Sequence, residues 1–503
     1  MVIISSFTLC VVILSVMMIL AGAVAPPNVG STSVADLKYY DFLPRLVVHF
    51  TQAHGPSYRH HFKAHCFRNN TVSVFFDHKN KDVSLSLDAS NPNSFFCMDS
   101  YVIATMNSVN VKTAVRHGVH DWSFKLNDHQ FKDAIANGIY LFHIQDNLIH
   151  LVEDIWHTIH LFMGKKSEQE NLKFFKEALN IDFVPRQQEF DVDPSVLRPG
   201  DIIITTSMTG LSSMISFGTG AATGHVCIVI RDPFTGELLI SESQDDAPFQ
   251  DVDPSPTLRK GITALPFAQW KALEKHANAV VLPLRDDLSK KFNNTAAFNF
   301  FKVREHQPYG YHNFFFSFFD TETQTLPKNI DWHFLLAGLK LAESFAKDKI
   351  DVLVLEGMRH RLNNYNLNSI EDVTKYLAQQ GKMNWAQLMS IPEKDEWLYN
   401  GKNELICSAF AVAMLREAGV FEPRVAQSIV ATEFTPKDVM QLDIYKKSWD
   451  DKPIECGLGD YPICQLLGNY WMPVESWPFY NSIRPYKDMN LVCPVNRTPD
   501  MLC

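Results

Sequence analysis

The chain has 503 residues, of which 46% are hydrophobic and 20% are charged. This composition excludes general disorder and predicts about two or three folded domains. The formal net charge is −10 and no basic block or stripe occurs, so we expect no nucleic-acid partner.

The N-terminus predicts a secretory signal peptide. Residues 2–20 are apolar and uncharged, and small residues follow at 21–25, so we expect cleavage after Ala23. The segment before the apolar run has no Lys or Arg, which leaves a retained anchor as the alternative. No later segment offers about 18 uninterrupted apolar residues, so no further membrane span is expected. We therefore predict a protein of the secretory pathway, either secreted or in the endolysosomal lumen.

Residues 24–190 are predicted to form an accessory domain. Short runs of alternating polarity, such as 71–76, 83–87 and 101–105, predict a β-rich unit over residues 38–124. The period then becomes helical, and we expect two amphipathic helices over 128–179, separated near Gly164. In this stretch His143, His150 and His157 recur every seven residues, with Glu153 and His160 nearby. We interpret them as a helix seam and predict no metal site.

Residues 185–194 are polar and bracketed by prolines, which is typical of a linker. The following unit, 191–445, alternates strands and turns, and residues 321–395 interrupt it as a mostly helical insertion. Residues 446–503 form a tail rich in Cys, Pro and Trp. The fold class predicted from these elements is α+β.

The cysteines support an oxidising compartment. Without Cys10 of the signal segment, eight of the nine remain, and six of these lie outside the predicted catalytic core. Their simplest pairing is 66–97, 456–464 and 493–503, although sequence does not fix the connectivity. Sequons at residues 69–71, 293–295 and 496–498 are compatible with N-glycosylation.

A histidine opens the second of two predicted neighbouring strands. Pro199-Gly200-Asp201 forms a turn that leads into residues 202–204, and Gly224-His225 begins the β-branched run 226–230. A turn at 232–236 then reverses the chain into residues 237–244. One residue of this returning strand must lie beside the imidazole, whichever register the turn selects, and the four candidates are Ser241, Glu242, Ser243 and Gln244.

Two further segments complete the pattern. Residues 308–314 contain Tyr309 and Tyr311, and residues 404–415 predict an amphipathic helix that begins at or just before Cys407. Free backbone N–H groups and the dipole at a helix N-terminus favour a thiolate. The same N–H groups can receive the oxyanion of a tetrahedral intermediate.

In this order, Pro199-Gly200-Asp201, Gly224-His225-Val226, Pro308-Tyr309 and Cys407-Ser408 resemble the motifs of circularly permuted NlpC/P60-type papain-like cysteine amidases and peptidases, in particular the YaeF/YiiX-like group. The resemblance covers residues 195–320 and 397–440. Bacterial relatives carry Glu two residues after the cysteine, where this chain has Ala409. The resemblance implies a papain-like domain with an antiparallel sheet and a nucleophile helix, in which histidine precedes cysteine in the chain.

The resemblance also implies roles for the residues. Cys407 is the expected nucleophile, His225 the base, and Glu242 the group that orients the imidazole, with Ser243 and Gln244 as substitutes. Tyr309 and Tyr311 are expected to bind substrate, and no cofactor is expected.

The expected reaction is hydrolysis of an amide or peptide bond through an acyl-cysteine intermediate. Two alternatives remain open: a lipid acyl hydrolase or acyltransferase that uses the same site, which the Phe-rich residues 314–319 favour, and a catalytically silent secreted binding protein.

Overall fold

The structure of the chain is a computed structural model. It describes residues 45–474 except 56–57, 94–96, 106–107, 145–167, 180, 188–191, 209, 220, 245–260, 275–276, 311, 314–353, 381–382, 384–387, 389–390, 392 and 400–403. The predicted signal peptide, the 493–503 cysteine pair, Tyr311 and residues 314–319 lie outside the described residues. So do two of the three spaced histidines, His150 and His157, and their neighbours Glu153 and His160.

The described strands are, in chain order, β1 (Arg45–Phe50), β2 (His60–Phe62), β3 (Phe67–Asp77), β4 (Asp82–Pro92), β5 (Asp99–Thr105), β6 (Ser108–Val115), β7 (Gly118–Lys125), β8 (Ile139–Ile144), β9 (Val184–Pro185), β10 (Ile202–Thr206), β11 (His225–Arg231), β12 (Leu238–Gln244), β13 (Gly261–Pro266), β14 (Asn278–Leu282), β15 (Cys464–Leu467) and β16 (Tyr470–Trp471). The described α-helices are α1 (Asp128–Asn137), α2 (Glu168–Leu179), α3 (Gly210–Thr219), α4 (Phe267–Leu273), α5 (Asp286–Ser289), α6 (Asn294–Arg304), α7 (Glu356–Leu362), α8 (Ile370–Gln380), α9 (Cys407–Glu417), α10 (Pro423–Ser428) and α11 (Pro436–Gln441).

The chain is a mixture of helices and antiparallel sheets, which confirms the α+β class. It divides into two compact units. The first contains the described residues of Met1–Ile159, Asn329–Arg359 and Asn364–Leu388, and the second those of His160–Lys328, His360–Asn363 and Met389–Cys503. Within the described parts, no helix is long and apolar enough to cross a membrane.

The first unit contains two four-stranded antiparallel sheets, ordered β1-β8-β5-β6 and β2-β3-β4-β7. Inward residues of both sheets, including Phe50, Val72, Leu85 and Ile103, form one hydrophobic core. This follows from the alternation in the sequence, because successive strand residues face opposite sides of a sheet. The predicted β-rich character of residues 38–124 is therefore confirmed where the structure describes them.

The prediction of two helices over residues 128–179 is wrong in its middle. Helix α1 ends at Asn137, where Gly138 takes a φ of 81°, and β8 then pairs with both β1 and β5 in the centre of a sheet. His143 lies on this strand, so it is not part of a helix seam. Residues 139–144 are a short apolar run, whose periodicity does not separate a buried strand from a helix segment.

The second unit contains a six-stranded antiparallel sheet of order β13-β12-β11-β10-β14-β15. One face of this sheet buries Ile203, Val229, Ile240 and Val281 around Trp270 of α4. The edge strand β15 comes from the predicted tail, so this part of the tail belongs to the sheet. Strand β15 is fastened by the Cys456–Cys464 disulfide at its first residue.

Two of the predicted disulfides are confirmed, since Cys66 bonds Cys97 and Cys456 bonds Cys464. Cys227 and Cys407 are free and buried. A protein that holds two disulfides fits the oxidising compartments of the secretory pathway. Among the described cysteines, the two that keep their thiols are thus the ones that the sequence placed in the predicted catalytic core.

Candidate active site

Cys407 is the first residue of α9, at the helix N-terminus. The residue before it, Ile406, cannot cap the helix with its side chain, so the first-turn N–H groups remain oriented towards the thiol. The helix is buried from Cys407 to Leu415. Cys407 itself is only 1% exposed.

The segment that enters this helix is fixed by two neighbouring parts of the chain. The Leu405 carbonyl accepts hydrogen bonds from the Gly310 N–H at 3.2 Å and from Ser243 Oγ at 2.7 Å. A parallel β-bridge pairs Tyr309 with Leu405. The backbone of Tyr309 and Gly310 therefore positions the segment that leads to Cys407, a role that the sequence did not reveal.

A second buried imidazole strengthens this attachment. His312 Nδ1 lies 3.0 Å from Glu404 Oε2, and the imidazole stacks on Tyr399 with ring centroids 4.8 Å apart. Asn313 Nδ2 donates to the Glu404 carbonyl at 2.5 Å. The roles of His312 and Asn313 were not predicted from the sequence. The available signal is a pair of adjacent polar residues within a largely apolar stretch.

His225 is the first residue of β11, where a strand begins at the edge of the pocket. Its Nε2 lies 2.8 Å from Glu242 Oε2, and the side chain is 15% exposed against 1% for Glu242. Glu242 is thus the residue of the returning strand that contacts the imidazole. The hairpin register explains the choice, because Ile228 pairs with Ser241 at the end of the ladder, and Cys227 and Glu242 are the next residues of the two strands beyond that pair.

Cys407 and His225 lie close enough to interact electrostatically. Burial by itself raises the pKa of the Cys407 thiol, but attraction to His225, a hydrogen bond from its ring and the N–H groups of Val226 and Ser408 outweigh burial and lower that pKa. Burial alone lowers the pKa of His225, whereas its interactions with the neighbouring Cys407 and Cys227 raise it well above its ordinary value. The lowered pKa of Cys407 and the raised pKa of His225 together favour a thiolate–imidazolium pair.

Cys227 is the residue that sequence reasoning underestimated. It is fully buried, and its Sγ donates to the same Glu242 Oε2 at 3.1 Å. Burial raises the pKa of the Cys227 thiol, and the charge of Glu242 raises it further. Cys227 is therefore a neutral hydrogen-bond donor to Glu242 and not a thiolate. The available signal was alternation, since residues two apart on a strand share a face.

A pocket opens at His225. It is lined mostly by polar residues from several elements, namely Thr205, Ser207, Ser212, Ile215, Gly224, His225, Gln244, Glu274, Ala277 and Tyr309. Tyr309, predicted to bind substrate, is 3% exposed and forms part of the pocket wall.

The other predicted motif residue, Asp201, has a structural role. Its carboxylate accepts hydrogen bonds from the backbone N–H groups of Leu284 at 2.9 Å and Arg198 at 2.8 Å. Burial raises the pKa of Asp201 to about 7 against the lowering effect of these hydrogen bonds. The motif therefore joins the turn before β10 to the end of β14.

Together, a buried thiol at a helix tip, an imidazole at a strand end and a buried carboxylate behind it form an arrangement suited to acyl transfer through a thiolate. The arrangement lies within the second unit. Comparisons of the chain with protein-family models, with curated proteins and with solved structures found no match.

Proposed function

We propose that the protein is a papain-like cysteine hydrolase, of the permuted NlpC/P60 type, that cleaves an amide or peptide bond. The observation that carries this proposal is the electrostatic interaction of Cys407 with His225, whose Nε2 lies 2.8 Å from Glu242 Oε2. A buried carboxylate behind the imidazole fixes its orientation and stabilises the imidazolium. The same arrangement explains a thiolate in a site that is almost fully buried.

The proposed reaction has two stages. The Cys407 thiolate attacks the carbonyl carbon, and His225 protonates the leaving amine as the acyl-cysteine forms. Water then attacks the thioester while His225 takes its proton, and the acid product leaves as the thiol re-forms. The backbone N–H of Cys407 at the helix N-terminus is the candidate donor to the oxyanion.

The polar groups of the pocket support a polar substrate over an acyl chain. Among its described lining residues only Ile215 and Ala277 have aliphatic side chains, while Glu274 and Gln244 offer charged and amide groups. A pocket built for a fatty acyl chain is predominantly apolar. We therefore place the amide or peptide hydrolase ahead of the lipid acyl hydrolase, and a secretory or endolysosomal location accompanies the proposal.

A silent binding protein is the remaining alternative. A disulfide-bonded Cys407 would favour this alternative, but Cys407 carries a free thiol in the structure. A free thiol with a lowered pKa has no use in a purely structural role, whereas a nucleophile requires one.

The test is capture of the acyl-enzyme. The purified full chain is mixed with a library of peptides and N-acyl amides, quenched in acid and mapped by mass spectrometry. We expect peptide-derived acyl groups on Cys407, none in Cys407→Ala, and continued modification of Cys407 in Cys227→Ala. Adducts found only on Cys227 would refute the assignment. Fatty acyl adducts alone would transfer the proposal to lipid hydrolysis, and no adduct with any substrate would favour a binding protein.

A further inference from the structure

One carboxylate oxygen joins an imidazole and a thiol next to the proposed nucleophile. Glu242 Oε2 lies 2.8 Å from His225 Nε2 and 3.1 Å from Cys227 Sγ. The ligating atoms of these three residues all lie within 4.8 Å of one another. Nitrogen, thiolate and carboxylate are the three donor types that bind Zn²⁺ in proteins.

We propose that His225, Cys227 and Glu242 form a binding site for a divalent cation of the Zn²⁺ class. The two adjacent strands β11 and β12 supply all three donors. Pairing of His225 and Cys227 with β10, and of Glu242 with β13, positions them before any metal arrives. Preorganised donors on rigid elements lose little entropy on binding. Cys227 and Glu242 are almost completely buried, which keeps competing water away from both.

The distances require only a small adjustment. With ordinary zinc bond lengths, tetrahedral geometry separates nitrogen from oxygen by about 3.4 Å and sulfur from oxygen by about 3.6 Å. Each observed separation must therefore widen by about 0.5 Å, which side-chain rotation of Glu242 supplies without moving the strands. The fourth position lies on the side of the pocket, because His225 lines it, and water can enter there.

The charges of the donors select the kind of cation. A Cys227 thiolate and a Glu242 carboxylate together neutralise a divalent ion, and the sulfur ligand discriminates against Mg²⁺ and Ca²⁺. Binding releases the thiol proton of Cys227, and a second proton when His225 is an imidazolium. Another His and Cys cluster in the described part of the chain, His65 with Cys66 and Cys97, has its sulfurs in a disulfide and offers no thiolate.

A bound cation would occupy His225, so the imidazole could no longer serve Cys407 as a base. This consequence, reversible inhibition by Zn²⁺ and recovery with a chelator, rests on the proposed function. Binding itself does not rest on it, because the donors include Cys227 and exclude Cys407.

The experiment uses Co²⁺ as a spectroscopic probe, since thiolate coordination gives an absorption band that carboxylate or imidazole coordination alone does not. Zn²⁺ affinity is measured by displacement of Co²⁺ from the full chain. Cys227→Ser and Cys407→Ser are the matched variants, because each replaces one buried thiol by a hydroxyl that keeps a hydrogen-bond donor.

We expect one Co²⁺ per chain with a thiolate band that persists in Cys407→Ser. In Cys227→Ser the band should disappear and Zn²⁺ affinity should fall by about 10- to 100-fold or more. Glu242→Gln should weaken Zn²⁺ binding while the band remains. A band that survives Cys227→Ser but is lost in Cys407→Ser, or no band in the unmodified protein, would overturn the proposal. A protein that binds Co²⁺ through Cys227 but hydrolyses nothing would refute the enzyme proposal and leave the metal site standing.

Discussion

Gly310→Ala should displace Cys407 although the added methyl group does not contact Cys407 itself. A Cβ on Gly310 would lie 2.9 Å from Ile406 N, 2.9 Å from Leu405 C and 3.0 Å from Glu404 C. All three are backbone atoms of the segment that enters α9, so no side chain can move aside to relieve the contact. Ordinary contact begins at 3.4 Å, so the segment before Cys407 must retreat by about 0.4–0.5 Å.

The size of the effect follows from this displacement. Overpacking of this kind costs about 1–3 kcal/mol of unfolding free energy. A misplacement of 1 Å at a reacting group lowers rates by about 10²-fold, so half of that should slow the reaction of Cys407 by about tenfold. The two assays are denaturant unfolding and the rate at which iodoacetamide alkylates Cys407, which needs no known substrate.

Gly236→Ala is the matched control. Gly236 has a φ of +74° and no atom within 4 Å of its built Cβ, so alanine there costs about 1 kcal/mol through backbone strain alone. It should leave the alkylation rate of Cys407 unchanged. The reasoning fails if Gly310→Ala alkylates as fast as the unmodified protein, or if Gly236→Ala slows alkylation equally.

Three further predictions concern the site and the first unit. The rate of Cys407 alkylation should rise with pH through a midpoint below the ordinary thiol pKa. His225→Gln should move that midpoint upward, because burial then raises the pKa of Cys407 without the opposing imidazolium. An unchanged midpoint would show that His225 does not lower the pKa of Cys407. For any substrate found by acyl-enzyme capture, Glu242→Gln should lower kcat by about 10²- to 10⁴-fold with a smaller change in KM. A change in KM alone would contradict an orienting role for Glu242. Replacing both Cys66 and Cys97 by Ala opens a loop with a sequence separation of 31 and should lower the unfolding free energy of the first unit by about 3.5–4 kcal/mol. The alkylation rate of Cys407 in the second unit should stay constant. An unchanged denaturant midpoint would contradict this estimate.

The sequence by itself determined the local parts of the site. The turn at residues 232–236 and the β-branched run before it predict the β11–β12 hairpin, and the amphipathic pattern predicts a helix that begins at Cys407. These features depend on residues close together in the chain, whose spacing and turn chemistry can be examined directly. Each of the two confirmed disulfides likewise joins two cysteines that follow one another in sequence order among the cysteines of the chain.

Only the tertiary structure decided which side chains meet. The register of the hairpin selected Glu242 over Ser243 and Gln244 and brought Cys227 to the same oxygen. A shift of β12 by one residue would have placed Glu242 on the opposite face of the sheet from Cys227. The attachment of Leu405 to Gly310 and Ser243, and the addition of β15 to the sheet, join residues far apart in the chain. Such contacts depend on packing of the whole core, which local periodicity does not encode.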